Sequence, residues 1–173
     1  KKTKTEIERQ QILIYDLRQR VSIYSFAQGW LAKKENFYHV ENRLNEALYC
    51  IPDSEDFLTL MAHLKILQGK LDEAKKLCEK ALHINPAYTT ALFHLGVIAW
   101  EEGDVIAAEK YYYKVVEDEY NKAPMAYYNL GIIFEGRKEY VKAISYYSQA
   151  IQKLAKDFFY ILFNNRAYTF FKL

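Results

Sequence analysis

Apolar residues recur along this chain at spacings of three and four, with polar and charged residues between them. Such spacing places the apolar side chains on one face of an α-helix, whereas a half-buried strand would alternate apolar and polar residues. The chain has only 6 Gly and 3 Pro, which leaves few turn residues for the many short strands of a sheet protein. The pattern therefore predicts a succession of amphipathic helices.

The predicted helices come in pairs, and a short polar break separates the two helices of a pair. The breaks at 69–72 and 102–104 each contain a glycine and an aspartate. Glycine adopts the positive φ needed just past a helix end, and aspartate caps the helix that follows. Three pairs are predicted, at 54–68 with 71–84, at 89–102 with 105–118, and at 124–136 with 139–154. A fainter pair is predicted near 23–33 and 38–50, and a lone helix at 158–173.

Small residues return at a nearly constant interval. The first series is Ala62, Gly96, Gly131 and Ala167, which are 34, 35 and 36 residues apart. Two further series follow the first three members at fixed distances of 12 and then 7 residues: Ala74, Ala108 and Ala143, then Ala81, Val115 and Ala150. Three series in one register indicate an internal repeat, in which each helix pair buries its core by stacking on its neighbours.

This register divides residues 21–173 into one repeat domain. Its units lie at about 21–54, 55–88, 89–123 and 124–157, followed by the lone first helix at 158–173. Residues 1–20 carry a single apolar helical stripe, and we expect a capping helix or the last helix of a preceding repeat there. A helix that binds a partner is the alternative for that segment.

Composition narrows the class of protein. The chain has 173 residues, of which 51% are hydrophobic, and its net charge is only +2. This balance excludes a disordered chain and a strongly basic nucleic-acid binder. No apolar run approaches the ~20 residues of a membrane span. The chain starts without Met and stops within an apolar pattern, so we expect it to be a piece of a longer protein. We also expect this protein to be in the cytoplasm.

Catalytic and metal-binding patterns are missing from the sequence. The four histidines are scattered, no glycine-rich phosphate loop is present, and the acidic runs at 101–102 and 117–119 are expected to be solvated helix ends. Cys50 and Cys78 match no metal spacing, and we expect both to be buried, reduced thiols. We therefore expect no enzyme activity, no cofactor and no metal.

The motif residues of the units resemble tetratricopeptide repeats. In one unit they are Leu92, Leu95-Gly96, Gly103-Asp104, Ala108, Tyr111-Tyr112 and Val115, and in the next Tyr127, Asn129-Leu130-Gly131, Phe134, Tyr140, Ala143, Tyr146-Tyr147 and Ala150. The resemblance is strong over 53–173 and weak over 21–52. It implies an all-α, right-handed superhelical solenoid of antiparallel helix pairs, whose first helices line an inner surface that binds peptides or protein segments.

The same resemblance assigns candidate binding residues to the inner faces of the first helices. They are Thr59, His63, Phe93, Val97, Trp100, Tyr128, Asn129, Ile132, Asn164 and Tyr168. Exposed aromatic side chains usually mark an interaction surface, which favours a non-catalytic adaptor that binds a protein or peptide segment. The alternative is a scaffold segment that self-associates or assembles in a larger complex through 1–20 or 158–173, in which a neighbouring copy or further repeats cover the aromatics.

One narrower function of the family is not favoured. Co-chaperones of this family hold an acidic chain terminus with Lys and Asn, then Asn, then Lys and Arg, on three successive first helices. With Asn129 in the middle, this chain offers Phe93 and Val97 before it, and Ile161 and Asn165 after it. The cationic side chains that would bind an acidic tail are missing from these positions.

Overall fold

The computed structural model describes residues 37–117 and 123–153, which form seven α-helices and no strand. The helices are α1 (Phe37–Cys50), α2 (Glu55–Leu67), α3 (Leu71–Ile84), α4 (Thr89–Glu101), α5 (Val105–Val116), α6 (Pro124–Gly136) and α7 (Tyr140–Lys153). Every bound lies within two residues of its predicted place. The helices predicted at 23–33 and 158–173, and the segment 1–20, lie outside the described residues.

The chain divides into two compact units, Lys1–Pro86 and Ala87–Leu173. In the first unit α2 packs against both α1 and α3, and in the second α4, α5, α6 and α7 pack consecutively. Among the described helices, α2 and α5 begin with a polar side-chain cap. The Ser54 hydroxyl accepts a hydrogen bond from the Phe57 N–H at 3.4 Å, and Asp104 Oδ1 accepts one from the Ala107 N–H at 2.9 Å. Pro124 begins α6, where its missing N–H has no helical partner to lose.

The same turn joins the two helices of all three described pairs. Its central residue is Gly69, Gly103 or Lys138, with φ of 74°, 82° and 63°. In each turn two backbone N–H groups return to carbonyls of the preceding helix, as when Lys138 N bonds to the Glu135 oxygen and Glu139 N to the Phe134 oxygen, both at 2.9 Å. The first two pairs have glycine at this left-handed position, which glycine adopts without strain, whereas the third pair has a lysine there.

The core of the first unit is aliphatic and aromatic. Val40 and Leu44 of α1 pack with Phe57, Met61 and Leu64 of α2. Lys65 is also buried there, and its Nζ lies 2.7 Å from Glu41 Oε1 and 3.1 Å from Glu73 Oε2. Hydrogen bonds from Lys65 and Gln68 lower the pKa of Glu41. Pairing with two carboxylates is what allows a charged group to be buried between helices.

The two cysteines differ in environment. Cys78 is buried in α3 as expected, and burial raises the pKa of its thiol to about 12, which keeps it protonated and unreactive. The expectation for Cys50 was wrong, because this residue is exposed. Cys50 is the last residue of α1, and the buried stripe of that helix runs through Val40, Leu44 and Ala47.

In the second unit a glycine of each first helix faces a buried tyrosine of the helix that follows. A Cβ atom added at Gly96 would lie 2.5 Å from Cε1 of Tyr112, and one added at Gly131 would lie 2.5 Å from Cδ1 of Tyr147. Both tyrosine side chains are fully buried. The helices therefore approach so closely that the ring occupies the space of a side chain on the partner helix. The corresponding positions of the first unit hold Ala62 and Cys78.

Aromatic residues also hold the helices of the second unit together, both within the pair α6–α7 and between α7 and α5 of the preceding pair. Phe134 and Tyr146 stack with their centroids 5.3 Å apart and their planes 5° from parallel. The Tyr146 hydroxyl donates to the Tyr113 hydroxyl at 3.3 Å. Lys142 Nζ lies 5.1 Å from the centre of the Phe134 ring, within cation–π range. Much of the tyrosine content of the chain therefore serves packing between helices.

We predict that replacing Gly96 with Ala destabilises the protein. The added methyl would overpack the Tyr112 ring, which costs about 1–3 kcal/mol and outweighs the gain of up to about 1 kcal/mol in helix propensity. Urea denaturation followed by circular dichroism measures the free energy of unfolding. Gly136→Ala is the matched control, because nothing lies within 4 Å of the added Cβ and no loss is expected.

A double-mutant cycle isolates this contact. Tyr112→Cys combined with Gly96→Ala recreates the alanine and cysteine found at positions 62 and 78. We expect the double variant to lose less stability than the two single losses add up to, by about 1 kcal/mol or more. The reason is that cysteine at position 112 leaves room for the methyl group at position 96. Strictly additive losses would show that the helices move apart at little cost.

The turn at Lys138 gives a second prediction. Lys138→Gly should stabilise the protein by about 0.5–1 kcal/mol, since relief of the left-handed strain exceeds the entropy that glycine adds to the unfolded chain. Gly103→Lys places lysine in the equivalent turn and should cost about 1–2 kcal/mol. Thermal unfolding of both variants checks the opposite signs, and a loss of stability in Lys138→Gly would contradict the strain argument.

Candidate functional site

The second unit contains a cavity of about 230 Å³ that opens between its two first helices. Its lining residues are Val97, Trp100 and Glu101 of α4, Tyr112 of α5, and Asn129 and Ile132 of α6. Residues three and four apart share one side of a helix, which explains why each first helix presents its lining residues together. The wall thus combines aliphatic, aromatic, amide and carboxylate groups.

Tyr112 supplies a buried polar group to the cavity. Its ring packs beneath Gly96, and its hydroxyl is hydrogen bonded to the Asn129 side chain. Burial raises the pKa of Tyr112 to about 12, and the negative charge of Glu101 acts in the same direction. The phenol therefore stays neutral at physiological pH. Its bond to Asn129 links α5 to α6 and fixes the position of the amide.

Trp100 is the most accessible aromatic group in the wall. Its side chain is 40% exposed, although it is one of the largest apolar groups in the protein. Val97 and Ile132 are half-buried beside it. Glu101 is exposed, and among the described residues it is the only charged one that lines the cavity. An exposed tryptophan next to half-buried aliphatic side chains can gain substantial apolar burial when a partner covers it.

Two predicted aromatic residues pack behind the wall. Phe93 lies 5.8 Å from Tyr112 between ring centroids, and Tyr128 lies 5.8 Å from Tyr147. Both are half-buried, and the tilt between rings is nearly the same in the two repeats, 45° and 43°. These contacts place Phe93 and Tyr128 against the tyrosines that face the glycines, and neither residue lines the cavity.

The candidates in the first unit are less accessible. Thr59 is only 2% exposed, and its hydroxyl donates to the Glu55 carbonyl of its own helix at 2.9 Å. His63 is half-buried, and burial lowers the pKa of its imidazole. Because its hydroxyl is already bonded, we leave Thr59 out of the proposed surface. The last two candidates, Asn164 and Tyr168, lie outside the described residues.

A second cavity, of about 340 Å³, lies in the first unit next to the buried ion pairs. Its lining residues are Glu41, Asn45, Leu48, Met61, Lys65, Glu73, Lys76 and Leu77. The one buried charge in this wall, Lys65, is paired with carboxylates of the neighbouring helices. The buried lysine of this wall is therefore already neutralised by its carboxylate partners, and these ion pairs serve to hold the three helices together.

Four of the six cavity residues were predicted at the candidate site, and the other two were assigned elsewhere. Tyr112 is among the motif residues of the repeat, and Glu101 was expected to be a solvated helix end. The available signal for Tyr112 was its constant distance from the small residue, since Gly96 and Tyr112 are 16 residues apart, as are Gly131 and Tyr147. For Glu101 the signal was its position directly after Trp100 at the end of the same helix.

Two other kinds of site are missing from the described residues. Within 37–117 and 123–153, no group of three or more histidine, cysteine, aspartate or glutamate side chains could hold a metal ion. None of the helices in these ranges combines the length and the hydropathy needed to cross a bilayer.

Comparison with known proteins agrees with the helix pairs. Two family models, both described as tetratricopeptide repeat, match residues 65–130 and 119–158. Tetratricopeptide repeat protein 7A of Homo sapiens is 27% identical over 132 residues, which cover 72% of this chain. The match spans only 15% of the length of that human protein.

Solved structures with low sequence identity share the fold. The structure from the functional characterization of Pseudomonas aeruginosa pilF has a TM-score of 0.76 at 18% identity, and the match covers 91% of this chain and 70% of that one. TTC0263, a thermophilic TPR protein of Thermus thermophilus, has a TM-score of 0.72 at 16% identity, covering 86% of this chain and 80% of that one. Together with the repeated glycine–tyrosine contacts and the identical turns, these matches establish that the chain is a tetratricopeptide repeat protein with an all-α solenoid fold.

Proposed function

We propose that this chain is a non-catalytic adaptor that docks a segment of a partner protein in the cavity of the second unit. Tetratricopeptide repeats generally mediate protein–protein interaction and scaffolding, which supports the broader class. The observation that carries the specific proposal is the exposure of Trp100 in the wall of a cavity, with Val97 and Ile132 beside it. A location in the cytoplasm stays a prediction from the sequence.

In this proposal, most of the affinity comes from burial of the apolar Trp100 side chain under the partner segment. Binding energy concentrates in a few residues, among which tryptophan is enriched, and truncating such a residue costs about 2 kcal/mol or more. Val97 and Ile132 flank the indole on two different helices, so a partner side chain placed here contacts both helices. Because Gly96 of α4 and Asn129 of α6 both contact Tyr112 of α5, little ordering of the wall is needed when a partner binds.

Asn129 provides the polar recognition in this proposal. A side-chain amide has two donor hydrogens and an acceptor oxygen, so its bond to the Tyr112 hydroxyl leaves further capacity. The remaining groups suit the backbone of an extended partner segment. An acidic chain terminus is a poor candidate, because neither α4 nor α6 contains a lysine or an arginine.

We predict that Trp100→Ala weakens the binding of a partner segment by about 2 kcal/mol, or roughly 30-fold in Kd. Peptides selected from a displayed library on the full chain serve as the probe, with Kd measured by isothermal titration calorimetry. Ile106→Ala is the matched control, since Ile106 is 77% exposed on α5 and does not line the cavity. Its Kd should equal that of the unmodified chain.

One outcome would contradict the proposed docking site. If Trp100→Ala retains the helical circular dichroism of the unmodified chain and binds the selected peptides with unchanged affinity, the cavity is not the docking site. Tyr128 is not used in this test, because its contact with Tyr147 means that truncation would disturb the packing of α6 on α7.

Self-association is a second candidate function, and one observation favours it. Ile106 and Val141 are the second residues of α5 and α7, equivalent positions of consecutive repeats, and they are 77% and 72% exposed. Exposed aliphatic groups that recur at one position of the repeat suit a surface between copies of this chain. The segments 1–20 and 158–173, which were considered for assembly on sequence grounds, lie outside the described residues.

Sedimentation velocity over a range of concentrations tests this second candidate. We expect oligomers of the full chain to dissociate when Ile106 and Val141 are both changed to Lys, because two buried charges would lie in the contact. The control is Lys75→Ala, which alters an exposed lysine of α3 in the first unit. A full chain that stays monomeric at the highest concentration excludes self-association through this surface.

A further inference from the structure

Charge in the second unit is divided between its first and second helices. The first helices, α4 and α6, contain Glu101 and Glu135 and no lysine or arginine. The second helices, α5 and α7, contain four lysines and one glutamate: Lys110, Lys114, Lys142, Lys153 and Glu109. Although the whole chain has a small net charge of +2, the formal charges of α4 and α6 are all negative.

Both carboxylates of the first helices stand where a helix disfavours them. Glu101 ends α4, and Glu135 is the residue before the end of α6. The carbonyl end of a helix carries partial negative charge, so an acidic residue there is unfavourable. Glu135 has a structural role, because it accepts a hydrogen bond from the Tyr147 hydroxyl at 2.8 Å. Glu101 forms no ion pair with any described residue, and its carboxylate borders the cavity.

The other groups of the wall also suit a cation. The exposed face of Trp100 is the best of the aromatic surfaces for a cation–π contact. The side-chain oxygen of Asn129 can accept a hydrogen bond from a charged donor. Burial raises the pKa of Tyr112, and the negative charge of Glu101 acts in the same direction, so the carboxylate and the phenol interact. An acceptor, an aromatic face and a carboxylate thus line one space.

We propose that this cavity binds an arginine or lysine side chain of the partner segment, with its cation between the Trp100 indole and the Glu101 carboxylate. This inference rests on the proposed docking function and specifies the side chain that occupies the cavity. Arginine is the better fit, because a planar guanidinium stacks on an indole and also donates two parallel hydrogen bonds to a carboxylate. The half-buried Val97 and Ile132 would contact the aliphatic stem of the same side chain.

The test begins with unbiased peptide selection on the full 173-residue chain. Peptides that require Trp100, shown by lost binding to Trp100→Ala, are then sequenced and compared. We expect an arginine or lysine at one recurrent position. Replacing an arginine at that position by citrulline, or a lysine by acetyl-lysine, removes the charge and keeps the aliphatic stem, and it should weaken binding about tenfold or more. The same loss should follow from Glu101→Gln with the original peptide.

A matched charge control separates a direct contact from general attraction. Glu102→Gln removes the same charge one residue further on, from an exposed side chain that does not line the cavity. We expect it to change Kd less than about twofold. The citrulline peptide should bind Glu101→Gln and the unmodified chain with equal affinity, because this peptide lacks the positive charge that would pair with the Glu101 carboxylate.

The possible failures are distinguishable. If the peptides that require Trp100 carry an apolar or acidic residue at the recurrent position, the cationic occupant is excluded, while docking in the cavity stands. Equal losses in Glu101→Gln and Glu102→Gln would likewise overturn the direct contact and indicate unspecific charge attraction. If selection yields no peptide that requires Trp100, both the docking function and this inference fall.

Discussion

The close approach of a glycine to a buried tyrosine ring is the contact on which the second unit depends. Gly96 receives Tyr112 and Gly131 receives Tyr147, so each ring takes the volume that a side chain would need on the facing helix. Phe93 and Tyr128 pack against the same two rings. The cavity forms as a result, because Tyr112 reaches from α5 to the space between α4 and α6 and bonds there to Asn129.

Helix positions follow closely from the sequence because the signals are local. Apolar spacing, glycine with aspartate in the breaks, and Pro124 at a helix start all act within a few residues. The turn at Lys138 was not predictable in the same way, because its residue gives no sign of the positive φ that the neighbouring turns show through glycine. The exposure of Cys50 also depends on which helix faces are covered, and that is a property of packing rather than of spacing.

The site was only partly predictable. Val97, Trp100, Asn129 and Ile132 follow from the inner face that the tetratricopeptide resemblance assigns to the first helices, whereas Tyr112 enters the cavity from the second helix of the pair. A residue that serves both the core and the cavity cannot be assigned to either from spacing alone. Glu101 was placed among solvated helix ends because a carboxylate at a helix terminus is usually solvated. Only the geometry puts it beside the indole, and Thr59 shows the converse, an inner-face candidate whose hydroxyl is occupied by its own helix.

The size of the residue at each glycine position also limits how these repeats can be exchanged. The two units use different combinations of residues at these positions. The second unit pairs glycine with tyrosine, and the first unit pairs alanine with cysteine. A first helix of one kind combined with a second helix of the other leaves either a clash or a void. Recombination and grafting within this protein should therefore succeed with whole helix pairs, and the helix pair becomes its smallest interchangeable module.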